Sequence, residues 1–351
     1  MHHSQMPPEV RRLISEGTVL PAHPLALDAN RKLDHVHQRA LTRYYIDAGA
    51  GGLAVGVHTT QFAIRDVALY RPVLELAAET ASSWTKRPLA LIAGLAGPTR
   101  QAVSEANTAQ SIGYHAGLLS LAAMKSASED EIIAHCETIA REIPLVGFYL
   151  QPAVGGVILS ANFWRRFAML DNVIAIKIAP FNRYRTLDVL RGVHAAGALD
   201  RIALYTGNDD HILLDLTLPF DLREEGITTR TYFKGGLLGH WSVWTKSAIQ
   251  QFERCKAARH KDMVPADLLA LDARVTDCNS AFFDVANNFH GCIAGCHEVL
   301  RRQGLMQGIW CLDPNEGLSP GQIEEIDRVC NEHADLSDDD FVAAHLQKWL
   351  A

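Results

Sequence analysis

The stretch VIAIKIAP, residues 173–180, is apolar throughout except for one lysine, Lys177. A short continuous apolar run is typical of a parallel strand that is covered on both faces. Seven similar runs occur along the chain, and an amphipathic stretch follows each of them. These runs are GTVLPAHPL from Gly17, GGLAVGVH from Gly51, PLALIAGL from Pro88, AGLLSLAA from Ala116, PLVGFYLQP from Pro144, IALYTG from Ile202 and TYFKGGLLG from Thr231.

The spacing of the runs indicates how they are connected. The first run starts at residue 17 and the last at residue 231, which gives seven steps of about 31 residues each. A strand, a crossover helix and two short loops need about 30 residues, so each step fits one βα unit. Eight units predict an α/β fold, a (β/α)8 TIM barrel over residues 17–260. We expect residues 1–16 to form an N-terminal segment and residues 261–351 a helical region packed on the barrel.

Composition narrows the class of protein. The 351 residues are 48% hydrophobic and 21% charged with a net charge of -7, which excludes a disordered chain and gives no electrostatic footprint for nucleic acid or an anionic membrane. No apolar run reaches the ~18 residues that a membrane span needs. The odd number of well-separated cysteines, seven, favours reduced thiols in the cytoplasm. Cys292 and Cys296 lie in a helix-like segment and lack zinc-site spacing, so we expect no metal.

Two lysines are candidates for chemistry in a barrel whose active site lies at the carboxyl ends of the strands. Burial of Lys177 would hold its amine neutral, and a neutral amine is the nucleophile that forms a Schiff base with a carbonyl substrate. The alternative is a lysine paired with a carboxylate or reaching out of the barrel end. Lys234 is the competitor, because it precedes Gly235, where the backbone can approach a ligand closely.

Polar residues at the ends of two other predicted strands complete the candidate site. Tyr149 ends the fifth run and could carry protons, although a tyrosine packed on the barrel rim is the alternative. His58, Thr59 and Thr60 end the second run, where hydroxyls and backbone N–H groups suit a carboxylate. His23 could contact substrate at the end of the first run, but a hydrogen-bonded rim histidine is the simpler interpretation.

These residues resemble the dihydrodipicolinate synthase/N-acetylneuraminate lyase superfamily. The resemblance rests on Tyr149-x-x-Pro152 followed by Lys177-Ile178-Ala179, with 28 positions between tyrosine and lysine. It extends to the following positions: the strand and loop 51–60, Ala93-Gly94 and Gly207-Asn208-Asp209. The resemblance implies that Lys177 forms an imine with a 2-oxo acid such as pyruvate, without a cofactor. It also implies that Tyr149 relays protons and that the threonine pair binds the carboxylate. We further expect that Gly207 and Gly235 contact substrate and that the protein is a homo-oligomer.

Three positions depart from the synthase members of that family. An arginine that would bind the second substrate's carboxylate is replaced by Val154, and the Tyr pair of the proton relay falls at about Ala122 and Ala123. Valine cannot replace a bidentate guanidinium, although Arg183 or Arg185 could reach in from another loop. We therefore predict a class I aldolase or lyase that acts on a 2-oxo acid and an aldehyde but is not a dihydrodipicolinate synthase.

Two alternatives remain from the sequence. The same imine would serve a dehydratase of a 2-oxo sugar acid. A relative without catalytic activity would bind a 2-oxo acid as a sensor, and the loss of the tyrosine pair is the argument for it. Borohydride reduction in the presence of pyruvate separates an imine-forming protein from a simple binder, because it traps the imine covalently.

Overall fold

The computed structural model describes residues 1–259, 261 and 263–351. Its main sheet has eight parallel strands, each neighbouring the next along the chain. A bridge from Ala22 to Ala54, in which the His23 backbone N donates to the Ala54 carbonyl at 2.8 Å, joins the first strand to the second. The predicted (β/α)8 barrel is thereby confirmed. The strands, including a two-stranded hairpin (β8 and β9), are β1 Val19–Pro21, β2 Gly52–Val55, β3 Ala90–Leu95, β4 Ala116–Leu119, β5 Leu145–Leu150, β6 Val173–Ala179, β7 Ala203–Thr206, β8 Phe220–Glu224, β9 Ile227–Thr231 and β10 Gly235–Leu238.

A helix follows each barrel strand, and local sequence explains where several of them start. The helix after β4 starts with a capping box in which the Ser128 hydroxyl accepts from the Glu131 backbone and the Glu131 carboxylate accepts from the Ser128 backbone. The helices of this half of the chain are α1 Pro8–Glu16, α2 His35–Ala48, α3 Tyr70–Trp84, α4 Thr99–Ile112, α5 Glu129–Ala140, α6 Ala161–Ala168, α7 Arg183–Ala195, α8 Ile212–Thr217 and α9 Thr245–Ala258.

The N-terminal segment closes one end of the barrel. Met6, Val10 and Ile14 pack into the apolar cluster that fills the barrel interior, and the Tyr205 hydroxyl donates to the Ile14 carbonyl at 2.8 Å. These contacts are made at the amino ends of the strands. The opposite end, where the carboxyl ends of the strands meet, is left for a site.

The eighth predicted run differs from the structure in one respect. Thr231 belongs to the antiparallel β8–β9 hairpin, and the barrel strand β10 begins only at Gly235. Glu225 and Gly226 both have positive φ, as a two-residue type I′ turn requires, and this dipeptide between two polar strands was the available signal. The hairpin is therefore an insertion between the barrel strands β7 and β10, and the regular βα spacing did not predict it.

The C-terminal region is helical, as predicted, and packs back on the barrel. The Tyr44 hydroxyl in α2 donates to the Asp338 carboxylate at 2.6 Å, and Arg43 donates to the Trp349 carbonyl at 2.6 Å. The predicted boundary at residue 260 lies outside the described residues. Among the described residues, no helix is both long and apolar enough to span a membrane. The helices here are α10 Ala266–Phe282, α11 Cys292–Arg302, α12 Gln322–Glu332 and α13 Asp339–Leu350.

Candidate active site

A cavity lies at the carboxyl ends of the barrel strands, and the centre of a water molecule can reach about 50 Å³ of it. This is the end at which enzymes with this fold carry their chemistry. The cavity wall is mostly apolar. Its polar side chains, among the described residues, are His58, Thr59, Gln151, Lys177 and Asp209.

Lys177 enters the cavity from β6 and is only 8% exposed. Its Nζ lies 4.5 Å from the centre of the Phe148 ring on the neighbouring strand. Gly207 leaves room for its stem, because a Cβ at that position would lie 2.6 Å from the lysine Cε. Burial lowers the pKa of the Lys177 amine below its ordinary value, and the nearby Asp209 carboxylate opposes that effect in part. A larger fraction of neutral amine is therefore present near pH 8 than for an exposed lysine.

Asp209 follows β7 and is the second ionisable group that Lys177 faces in the cavity. Its Oδ1 accepts a hydrogen bond from the His240 backbone N at 3.0 Å, which fixes the side chain. Burial raises the pKa of the Asp209 carboxyl above its ordinary value, and the charge of Lys177 acts in the opposite direction. A buried carboxyl with a raised pKa can both accept and return a proton near neutral pH.

His58 and Thr59 lie in a 3-10 turn, His58–Thr60, that follows β2. Burial, assisted by the charge of Lys177, lowers the pKa of His58 to about 4, so its ring is neutral at pH 7. Thr59 lines the cavity beside it. The Thr60 hydroxyl instead donates to the His23 carbonyl at 2.6 Å and accepts from the Gly56 N at 2.9 Å. The structure thus brings His58 and Thr59 to Lys177 and uses Thr60 to hold the turn.

The structure does not bring Tyr149 to Lys177. The ring of Tyr149 packs on Trp164 in the layer between barrel and helices, with ring centres 5.1 Å apart. Its hydroxyl lies 3.4 Å from both the N and the O of Leu159. The proton-relay role that the resemblance implies for Tyr149 is therefore not supported by this geometry, and the tyrosine packs on the outer face of the barrel wall rather than on its rim.

A register shift explains why the 28-residue spacing fails to align these side chains. Leu145 pairs with Val173, an offset of 28, but Val146 pairs with Ala175, an offset of 29. The extra residue in β6 forms a β-bulge. After the bulge, each side chain of β6 points to the opposite face from the one that the earlier register with β5 would give. Lys177 consequently pairs with Phe148, which shares the inner face with it.

Gly235 and Lys234 lie at the other end of the barrel. They stand at the start of β10, where a Cβ on Gly235 would lie 2.3 Å from the Thr18 carbonyl and the Lys234 N donates to the Leu204 carbonyl at 2.7 Å. Gly235 thus serves strand packing, and neither residue lines the cavity. Gly239, just after β10, takes the position on the wall that was expected for Gly235.

The departures from the synthase pattern are also located. Val154 lines the cavity, whereas Ala122 and Ala123 are exposed outside it. Arg183 is paired with the buried Asp215, and Arg185 does not line the cavity either. Among the residues the structure describes, no arginine reaches the wall. His23 is buried and hydrogen-bonded to Thr42 at 2.8 Å, as the simpler interpretation predicted.

The C-terminal region supplies one whole side of the cavity, which was not predicted from the sequence. Burial raises the pKa of the Cys296 thiol to about 12 and holds the pKa of the Cys292 thiol well above its ordinary value, so both remain protonated. Neither cysteine belongs to a cluster of metal-ligating atoms in the described part of the chain. Nothing local in the sequence signals this wall, since it depends on how α10 and α11 dock. Its members are Phe283, Phe289, Cys292, Ile293 and Cys296.

Comparison with known proteins agrees with this fold. The model of the dihydrodipicolinate synthetase family matches residues 16–221, more than half of the chain. The chain belongs to this family. It is 23% identical over 313 residues to N-acetylneuraminate lyase 2 of Escherichia coli O6:H1, an alignment that covers 88% of this chain and 90% of the lyase.

Two solved structures illustrate the similarity of fold. N-acetylneuraminate lyase from Fusobacterium nucleatum, complexed with pyruvate, matches with a TM-score of 0.70 at 19% identity, covering 92% of this chain and 98% of the lyase. Dihydrodipicolinate synthase from Aquifex aeolicus matches with a TM-score of 0.72 at 17% identity, covering 91% and 98%. At this identity the similarity to solved structures establishes the barrel fold alone, and the substrate has to be argued from the cavity.

Proposed function

We propose that the protein is a class I aldolase or lyase in which Lys177 forms an imine with a 2-oxo acid such as pyruvate. The observation that carries the proposal is the buried Lys177 amine, with its pKa lowered by burial, at the carboxyl end of a barrel strand in a cavity. A lysine made nucleophilic in this way reacts with a ketone carbonyl. Membership of the family, and the pyruvate complex of one structural neighbour, support the choice of substrate.

The proton transfers of this reaction need a group other than Tyr149. As the Lys177 nitrogen attacks the ketone carbon, it loses a proton, and the carbonyl oxygen must gain protons to leave as water. Asp209 shares the cavity with Lys177 and has one oxygen fixed by His240, so it is the group we assign to accept and return the proton. Thr59 and the neutral His58 also line the cavity, and we assign them to donate hydrogen bonds to the substrate carboxylate.

The residues that line the cavity argue against dihydrodipicolinate synthase activity. Its aldehyde carries a carboxylate, which needs a charged or multiply donating partner in a partly dry site. Val154 offers neither, and no arginine of the described residues lines the cavity. The absence of a charge-assisted contact costs ~1.5–3 kcal/mol, or roughly ten- to two-hundredfold in transition-state binding. We expect negligible condensation of pyruvate with aspartate semialdehyde.

The outward position of Tyr149 favours one second candidate, a protein that binds a 2-oxo acid without turning it over. Such a sensor would lack efficient proton transfer even if Lys177 could react. It differs from the aldolase in a single measurable respect: it would not exchange the C3 hydrogens of pyruvate with solvent, because exchange requires the imine to form an enamine.

Trapping by borohydride tests the imine. Pyruvate and borohydride are expected to add a reduced three-carbon acid to the Lys177 peptide, identified by mass spectrometry, and Lys177→Ala should abolish the adduct. Lys234→Ala is the matched control and should leave it unchanged, since Lys234 lies at the opposite barrel end. An adduct on the Lys234 peptide, or none with the wild-type chain, would contradict the proposal. Deuterium exchange at C3 of pyruvate then separates the aldolase from the sensor.

A further inference from the structure

We propose that the second substrate is a neutral aromatic aldehyde, whose ring is bound by Phe181 and by the wall that the C-terminal region contributes. The inference rests on the proposed function, because an aldehyde is needed only if Lys177 forms an imine. It goes beyond that function in naming the chemical class that the rest of the cavity accepts.

The charged side chains of the cavity argue for a second substrate that is neutral. Lys177 and Asp209 are its charged side chains among the described residues, and both are committed to the imine. A second anionic group would find no cation, and a polyol would find few partners for its hydroxyls beyond Gln151. Unsatisfied polar groups in a buried site cost binding energy, so sugar-derived and acidic aldehydes are disfavoured.

The geometry of two phenylalanines argues for an aromatic ring. Phe181, in the loop after β6, and Phe289, before α11, meet edge to face with ring centres 5.8 Å apart and an interplanar angle of 69°. This is a favourable arrangement for aromatic pairs and leaves ring faces and edges for a third ring. Phe283 and Phe148 contribute two more rings to the same cavity.

Backbone conformation supports a ligand-binding role for this pair. Phe181 has φ of 47° and Phe289 has φ of 66°, which is the left-handed region that bulky residues avoid. Such conformations persist only where surrounding contacts enforce them, and they cluster at ligand-binding sites. The enforcing contacts are present: the Asn208 side chain accepts from the Phe181 N at 3.1 Å, and the Asp284 carbonyl accepts from the Phe289 N at 2.9 Å.

The reaction that follows is a balanced aldol addition. The pyruvate imine loses a C3 proton to become an enamine, and its C3 bonds to the aldehyde carbon. The aldehyde oxygen takes up a proton and becomes a hydroxyl. Water then hydrolyses the imine and frees Lys177, replacing the water lost when the imine formed. The product is a 4-hydroxy-2-oxo acid with an aryl group on C4, and the cleavage direction reverses each step.

Competing aldehydes test the proposal on the full-length chain with pyruvate. Benzaldehyde is expected to be used with a kcat/KM at least about tenfold above glyceraldehyde, aspartate semialdehyde and isobutyraldehyde. Phe289→Leu keeps an apolar side chain at this strained backbone position but removes the aromatic ring. The variant should therefore show a smaller preference for benzaldehyde over isobutyraldehyde. The rate of borohydride trapping of the pyruvate imine is measured in the same variant, so that a change in imine formation is separated from a change in aldehyde preference. Tyr184→Leu, which removes an exposed ring from α7 outside the cavity, is the matched control.

The outcomes distinguish this inference from the function on which it rests. An imine at Lys177 together with equal or better use of glyceraldehyde, aspartate semialdehyde or isobutyraldehyde would overturn the aromatic subsite alone. An unchanged benzaldehyde preference in Phe289→Leu would overturn it too, and so would an imine with no turnover of any aldehyde. Failure to form the imine would overturn both proposals together.

Discussion

At the scale of single residues, the proposed chemistry depends on two groups whose pKa values burial shifts in opposite directions. An ammonium and a carboxylate both lose hydration in the cavity, which lowers the pKa of Lys177 and raises that of Asp209. Each group's charge stabilises the charge of the other, so the pair retains part of its ionisation. The pair is therefore suited to exchange a proton near neutral pH, as imine formation requires.

Asp209→Asn separates two contributions of this carboxylate, its effect on the pKa of Lys177 and its proposed role as the proton carrier. Removal of its negative charge withdraws the effect that raises the pKa of Lys177, so that pKa should fall further below the ordinary lysine value of about 10.4. The trapping rate rises with pH as the amine loses its proton, and its midpoint should therefore move to lower pH in the variant. The plateau rate should fall by ~10²–10⁴ because the proton carrier is lost.

The measurement is the rate of pyruvate trapping as a function of pH. Asp210→Asn is the matched control, since Asp210 is the adjacent carboxylate but does not line the cavity. It should leave the plateau nearly unchanged. A plateau in Asp209→Asn equal to that of the wild type would show that another group carries the proton, and an upward shift of the midpoint would contradict the electrostatic argument.

At the scale of elements, the positions of the strands were predictable from the sequence, but which of their side chains point into the barrel was not. Regular spacing of apolar runs located all eight barrel strands, because each βα unit needs a minimum length. A parallel strand buried on both faces has no polar–apolar alternation, so the sequence does not mark which residues point inward. The bulge between Val173 and Ala175 shifts the register by one, so Lys177 pairs with Phe148, at an offset of 29, and not with Tyr149, which the offset of 28 would select.

Tyr149→Phe tests this register directly. The variant keeps the ring that packs on Trp164 and loses a hydroxyl whose contacts with Leu159 are long, at 3.4 Å. We expect the rate of imine trapping and the turnover rate to stay within about threefold, and the free energy of unfolding to fall by no more than ~1 kcal/mol. A loss of ~10²-fold in the trapping rate, with the fold intact, would place Tyr149 in the proton relay after all.

At the scale of the whole molecule, the two ends of the chain close the two ends of the barrel. The N-terminal segment fills the amino end, and the C-terminal region covers the carboxyl end, where it builds part of the cavity. The loop between α11 and α12 is held over the strand ends by two hydrogen bonds. The Leu312 N donates to the Gln61 side chain at 2.7 Å, and Arg31 donates to the Cys311 carbonyl at 2.9 Å. The sequence predicted that the C-terminal region packs on the barrel, but not which end of the barrel either terminal segment covers, because local periodicity fixes a helix and one apolar face but not its distant partner.

Asp338 joins the C-terminal region to the barrel, and its removal should therefore affect stability and substrate binding together. One carboxylate oxygen accepts from the Tyr44 hydroxyl at 2.6 Å and the Lys246 N at 2.9 Å, while the other accepts from Gln303 at 2.8 Å. The side chain is buried, with 5% exposure, so Asp338→Ala leaves these donors without their acceptor in a dry environment. A buried donor that loses its partner costs ~1–3 kcal/mol, and the free energy of unfolding should fall by at least ~3 kcal/mol.

The cavity should respond unevenly to the same change. Lys177 and Asp209 belong to barrel strands and their loops, whereas Phe289 belongs to the region that Asp338 holds in place. Asp338→Ala should therefore raise KM for the aldehyde severalfold, well below the unfolding temperature, while the imine with pyruvate still forms at Lys177. Asp340→Ala, an exposed carboxylate in the first turn of α13, is the control and should change the free energy of unfolding by less than ~1 kcal/mol. Urea unfolding and steady-state kinetics measure the two effects, and equal losses in pyruvate trapping and in aldehyde use would show that the C-terminal region supports the barrel as a whole rather than the second substrate's subsite.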